Sequence, residues 1–315
     1  KNIAIGYQAL QDQNAGAEGH NVAIGHQTGK EVTTGNSNTI IGSLAGDALT
    51  TGSNNVAIGY LALSTEDAHG RNVAIGRQAL KDQDAGIDAY NVAIGYNAGM
   101  NISTSSYNTL IGGLAGDALT TGGYNVAIGY QALSTEDTQG LNTAVGTYAL
   151  LNLNAGANAY NTAVGYNSGQ AMTTGVQNTI IGGMAGDALT TGGESVAIGY
   201  GALGTEDTAS RSTAIGYNAL EAQNSGSSNT YNVAVGFDAG LSVTTGTYNT
   251  IIGGKAGDAL TSGGYNVAIG YAALGAEDAH GGNVAIGHEA LVAQDAGADA
   301  YNVAIGYEAG HDIST

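Results

Sequence analysis

Four aspartates recur at one place in the chain's pattern. Asp47, Asp117, Asp187 and Asp258 each stand in A-G-D-A-L-T. A carboxylate so placed can accept backbone N–H groups and cap a turn. It can also share a Ca²⁺ ion with a neighbouring carboxylate, such as Glu66-Asp67 or Glu136-Asp137. The calcium-binding nonapeptide G-G-x-G-x-D-x-U-x is absent. Turn capping is therefore the expectation, and calcium is the weaker candidate. The six histidines are His20, His26, His69, His280, His288 and His311. His26 and His288 take a place usually held by Tyr, and His69 and His280 occupy equivalent loop positions. They read as surface substitutions, not as metal ligands or catalytic bases. A catalytic centre is normally a unique constellation, whereas almost every polar residue here recurs. The expectation is no enzyme, with no catalytic and no cofactor-binding residue. Gly112-Gly113 and similar pairs lack the G-x-x-x-x-G-K-[ST] context of a phosphate loop.

The elements that must position these groups are set by a repeat. The motif N-V-A-I-G starts at Asn2, Asn21, Asn38, Asn55, Asn72, Asn91, Asn108, Asn125, Asn142, Asn161, Asn178, Ser195, Ser212, Asn232, Asn249, Asn266, Asn283 and Asn302. The spacings run 19, 17, 17, 17 and repeat, with one gap of 20 where Ser227-Ser228-Asn229-Thr230 lengthens a loop. A coil of about 17 residues thus sits inside a unit of four coils, 70 or 71 residues long. The expected organisation is one continuous β-solenoid over 1–315, with super-repeats near 2–71, 72–141, 142–211 and 212–282 and a partial one at 283–315. The chain opens and stops inside motifs, so it reads as a piece of a longer one.

Alternation within the motif predicts a short strand. Val56 and Ile58 share one face, and Asn55 and Ala57 share the other. One such strand cannot fold alone. Stacked in register, each pairs with the coil above and below, at about 4.8 Å per coil. The small Ala suggests a tightly packed face, a neighbouring chain being one cover for it. A glycine ends all 18 motifs, represented by Gly59, Gly129 and Gly270, which predicts a corner or a close backbone approach. Asn opens 16 of the 18, represented by Asn55, Asn125 and Asn266, which predicts a hydrogen-bonded ladder. The x-A-L or x-A-G that follows is expected to close the coil, as a helical turn or an irregular corner. Of 18 Tyr, nine follow the motif glycine, including Tyr60, Tyr130, Tyr200 and Tyr271, and eight precede a motif start. These positions predict aromatic ladders, for coil-edge packing or as a binding platform.

Composition narrows the partners. The net charge is −19, from 26 acidic and 7 basic residues. A phosphate backbone needs a basic stripe, so nucleic acid is excluded as an expected partner. No apolar run approaches the roughly 20 residues of a membrane helix, and with no Cys there is no disulfide framework or thiolate metal site. Gly is dense, at 53 residues, but Pro is absent, which rules out collagen.

The motif N-V-A-I-G, with glycine turns and neither Pro nor Cys, resembles the head repeats of trimeric autotransporter adhesins, the YadA-like family. N-T-A-V-G-T-Y-A-L at 142–150, with T-T-G loops such as 173–175, is similar to repeats of tail-fibre-like surface proteins of bacteria and phages. The resemblance covers essentially the whole chain, although these coils are longer than the family's usual head coils. It implies a left-handed parallel β-roll, three chains side by side, and exposure on a cell or virion surface. The expected function is then a non-enzymatic shaft or adhesive head of an extracellular fibre. The alternative is a module that binds a glycan, matrix protein or surface through Tyr, Thr and Asp ladders on one face.

Overall fold

The computed structural model describes residues 1–14, 19–208, 210–226, 229–295 and 297–313. Ser227 and Ser228 of the lengthened loop lie outside the described residues. The chain is all-β, with 18 three-residue strands and no helix among the described residues. It divides into two compact units, Lys1–Tyr160 and Asn161–Thr315. Each unit holds nine strands, from Ile3–Ile5 to Thr143–Val145 in the first and from Thr162–Val164 to Val303–Ile305 in the second. Within each unit every strand pairs with the next, parallel and in register. Val56, Ala57 and Ile58 face Val73, Ala74 and Ile75, and the same rows continue in the second unit at Val267, Ala268 and Ile269 against Val284, Ala285 and Ile286. This is the expected parallel β-solenoid of about 17-residue coils. Nine coils at about 4.8 Å per step give each unit roughly 40 Å of stacked sheet.

The small face of the strand is the interior of the coil. Ala57 is wholly buried, together with Ala62 and Leu63 of its own coil. The expectation of a neighbouring chain as cover for the Ala face is thereby corrected, because the coil's own turn covers it. Val56 and Ile58 point outward and are half-buried. The interior is filled by a compensating exchange of volume. Where Leu stands four residues after the motif glycine, as at Leu63, the residue three further on is polar, as at Glu66, with Leu153 after Leu150 as the exception. Where Gly stands there, as at Gly46, the later position is a large apolar residue, Leu49. A Cβ on Gly46 would lie 2.8 Å from the Leu49 Cδ1, so the two occupy one space in turn.

Of the two expected alternatives, a helical turn or an irregular corner, the segment after the strand is the corner. Its backbone alternates in sign of φ. After Gly59, Leu61 has φ 55° and Leu63 has φ 51°, and Asn54, just before the motif, has φ 62°. The alternation turns successive N–H groups in opposite directions along the stack. Leu61 donates to the Ser43 carbonyl of the coil before (3.2 Å) and Leu63 to the Ala79 carbonyl of the coil after (3.0 Å). A left-handed non-glycine residue costs about 1–2 kcal/mol, and a backbone hydrogen bond returns about 0.5–1.5 kcal/mol. The terms nearly cancel, so an isolated coil has no reserve and the conformation is held by its neighbours.

Gly59 has φ +136°, and a Cβ on it would stand 2.6 Å from the Gly76 carbonyl carbon and closer still to its oxygen. Gly129 and Gly270 meet the Gly146 and Gly287 backbones in the same way. Gly86 also has positive φ, at +67°, but a Cβ there would meet nothing within 4 Å. Gly59→Ala is expected to destabilise the chain by about 3 kcal/mol or more, through both strain and collision. Gly86→Ala is expected to cost only about 1 kcal/mol. Thermal melts of the two variants check the contrast, and equal losses would contradict the close-approach account.

Candidate functional site

The motif asparagine supports the stack from inside the coil. Asn55 is fully buried. Its Oδ1 accepts the Asn72 backbone N–H (3.0 Å), and its own N–H donates to Asn38 Oδ1 (2.9 Å). Its Nδ2 donates across the coil to the His69 carbonyl (3.2 Å). Asn125 and Asn266 are held the same way, donating backbone N–H groups to Asn108 and Asn249 (2.9 Å each). The ladder is thus mainly side chain to backbone, with amide-to-amide contact an exception at Asn108 and Asn91 (3.2 Å). The asparagine spends its carbonyl along the stack and its amide across the coil.

A second polar row lies deeper. Glu66, Glu136, Glu206 and Glu277, one per long repeat, are fully buried. Each stands seven residues after its motif glycine, where the two A-G coils place a large apolar side chain. The turn that carries them is anchored, because the hydroxyls of Thr50, Thr120, Thr190 and Thr261 donate to the carbonyls of Asp67, Asp137, Asp207 and Asp278 (2.9, 2.7, 2.8 and 2.6 Å). One carboxylate oxygen of Glu66 accepts the His69 N–H (3.0 Å), and the same oxygen of Glu277 accepts that of His280 (3.1 Å). The other oxygen takes a glutamine from the next coil. Gln83 donates to Glu66 (3.3 Å), Gln223 to Glu206 (3.0 Å) and Gln294 to Glu277 (3.1 Å). These glutamines in turn accept from Asn91, Asn232 and Asn302 (3.0, 2.9 and 3.0 Å), which joins the buried carboxylates to the asparagine ladder. In one repeat Leu153 replaces the glutamine, and Glu136 Oε2 is buried with no hydrogen-bond partner.

The four candidate aspartates sit elsewhere. Asp47, Asp117, Asp187 and Asp258 are half-buried, and among the described residues none joins a group of three or more potential metal ligands. Burial raises the pKa of each, against backbone N–H groups of its own turn and, at Asp117, the Ser134 hydroxyl. The groups that do gather possible ligands are Glu66, Asp67, His69 and Asp84; Glu277, Asp278 and His280; and His288, Glu289 and Glu308. His69 and His280, expected as surface substitutions, are only partly exposed, and the Nδ1 of each is buried without a hydrogen-bond partner. The buried glutamates were legible only as neighbours of a calcium site. The signal that marks them is their register, a charged residue at a place reserved for core.

The tyrosines form two sets of columns on the rims of the strand face. Tyr90, Tyr107 and Tyr124 stack with centroids 5.5 and 5.0 Å apart, under the Arg71 guanidinium, 5.4 Å from the Tyr90 centroid. Tyr231, Tyr248 and Tyr265 repeat this at 5.2 and 5.0 Å, headed by Arg211. Of the expected surface ladder, Tyr200 stacks on Tyr217 (5.5 Å) and Tyr271 on His288 (5.4 Å), Tyr130 meets Tyr148 edge-on (5.7 Å), and Arg77 lies over Tyr60 (5.8 Å). These columns break once per long repeat, where Gly113 and Gly183 stand beneath Tyr130 and Tyr200. The other columns break at Leu141 and Gly282, and a polar groove opens at each. The first is lined by Thr121, Gly123, Tyr124, Thr138, Gly140 and Asn158, and the second by the equivalent Ser262, Gly264, Tyr265, Ala279, Gly281 and Asp299. Compared with protein-family models, curated proteins and solved structures, the chain matches none.

Burial, opposed by N–H groups of Gln139 and Ala155, raises the Glu136 pKa. A carboxyl whose folded pKa exceeds its unfolded value costs stability while ionised. That cost is fully present above the raised value and is gone below the unfolded value near 4. Glu136 and the four aspartates therefore make the chain more stable as pH falls from 7 toward about 4.5. Leu153→Gln is expected to supply the missing donor, lower the Glu136 pKa and reduce that acid-side gain. Carboxyl NMR titration and melts at pH 7 and pH 5 check it; an unchanged Glu136 titration would refute the orphaned-oxygen account.

Proposed function

We propose that this chain is a non-enzymatic structural segment of an extracellular fibre, a shaft or adhesive head that associates laterally with copies of itself. The observation that carries the reading is the outer strand face. Tyr90, Val92, Ile94 and Tyr96 lie on one side of a single strand and its flanks, while Asn91 and Ala93 are buried on the other. No strand position carries a charge, and the rim positions on either side carry few, Lys1, Arg71, Arg77, Glu194 and Arg211, although the chain as a whole is strongly acidic. Six residue steps at about 3.3 Å by nine coils at about 4.8 Å make roughly 850 Å² of this face in each unit. Soluble monomers leave apolar patches of a few hundred Å², and a stable interface takes about 800 Å² from each partner. A face of that size and composition is suited to cover by another chain. The resemblance to YadA-like head repeats adds the expectation of three left-handed chains and of a cell or virion surface.

Glycan binding is the second reading, and the two grooves at the column breaks favour it. Within the columns the ring faces are already stacked on one another, so a sugar has only hydroxyl rims to meet there. At Tyr124 and Tyr265 the column stops, and the groove adds Thr, Ser, Asn and Asp oxygens.

Sedimentation velocity distinguishes the readings. The intact chain is expected to sediment as an oligomer, and Ile94→Glu with Ile128→Glu as a monomer with an unchanged far-UV CD spectrum. A monomeric parent chain would remove lateral association.

A further inference from the structure

The buried glutamates in two of the four long repeats face a histidine that the fold leaves unsatisfied. His69 Nδ1 stands 3.5 Å from Glu66 Oε1, and His280 Nδ1 stands 3.3 Å from Glu277 Oε1. Both ring nitrogens are buried and make no hydrogen bond. The two places are in different units and three long repeats apart, yet carry the same geometry. At the corresponding position the other two repeats have Gln139 and Ala209.

The spacing discriminates between two explanations. A charge-assisted N–H···O bond closes to about 2.7–2.9 Å, and these pairs are longer. Two ligands at about 2.0–2.1 Å from one cation at a tetrahedral angle stand roughly 3.3 Å apart. The glutamate is also oriented as a metal ligand's supporting contacts would orient it. Its Oε1 is fixed by the His69 N–H and its Oε2 by Gln83 of the next coil, which leaves the remaining Oε1 lone pair for a third partner. Both of these donors are neutral, so the buried negative charge still lacks a compensating one. Asp67 and Asp84 complete the first group, with ligand atoms all within 4.8 Å of one another, and Asp278 completes the second.

We propose that Glu66, His69, Asp67 and Asp84, and again Glu277, His280 and Asp278, are binding sites for a divalent first-row transition cation of the Zn²⁺ type. Imidazole nitrogen with carboxylate oxygens selects such a cation over Ca²⁺, which takes oxygen ligands alone. In the first site the cation joins the turn of the fourth coil to the coil that follows it, since Asp84 comes from the next coil, whereas the second group lies within one coil. The first site, with one more carboxylate, is the tighter.

Zn²⁺ titrated alone into the intact metal-free chain, followed calorimetrically, tests this. The chain carries His288→Gln, which removes the exposed His288–Glu289–Glu308 group. Two Zn²⁺ per chain are expected, one after His69→Gln or His280→Gln, and none after both. Gln is what the second repeat carries naturally at this place, and far-UV CD checks that the variants fold. Co²⁺ is expected to give tetrahedral visible absorption that both replacements abolish. Absence of Zn²⁺ uptake, uptake unchanged by the two replacements, or Ca²⁺ bound as tightly as Zn²⁺ would each overturn the proposal. The first of these outcomes would leave each His–Glu pair as a simple imidazolium–carboxylate contact.

Discussion

Within each unit, the carbonyl group of a motif glycine sits where a side chain on the preceding coil's glycine would begin. A Cβ on Gly42 would stand 2.6 Å from the Gly59 oxygen, and one on Gly253 2.5 Å from that of Gly270. Coils can therefore approach to strand-pairing distance only if this corner stays bare. Everything else follows from that approach. Strands of only three residues, far below the usual five or six, hold because each strand inside the stack is paired on both sides. The left-handed residues beside them hold because their N–H groups reach the coil above or below. The asparagine can bridge coils only because the rise is a strand spacing. Stability is thus a sum of neighbour terms, as in other repeat arrays.

Close stacking also decides what a side chain means. An inward position repeats down a column with no solvent beside it, so a polar residue there must find its partner in the next coil. Glutamate and glutamine do so in three of the long repeats, and the partner is missing where Leu153 stands. An outward position repeats down a column open to solvent, so tyrosines stack on tyrosines at about the rise of the coil. The same constraint yields a buried hydrogen-bonded row on one side and an aromatic rim on the other. The wide uncharged face between the rims is the feature that suits lateral association.

The architecture was legible because a period of about 17 residues with an invariant glycine leaves few alternatives. The Asn ladder and the Tyr columns were legible for the same reason, since any residue repeated once per coil must form a row. The candidate aspartates were legible as turn residues but not as separate from the glutamates. Asp47 and Glu66 are 19 residues apart, and spacing cannot say which carboxylates a coil brings together. Nor could the sequence tell that Glu66 is core and Asp67 surface, because adjacent residues in an irregular turn have no fixed alternation.

Sequence by itself determined the coil, its parallel register, the bare glycine corner and the four-coil unit, because period and residue size are local properties. Tertiary structure decided which face of V-A-I is inside, how alternating left-handed residues close the coil, and that His69 meets a buried carboxylate. Those outcomes depend on contacts between residues of different coils and on the path of the turn. No pattern along one coil contains that path.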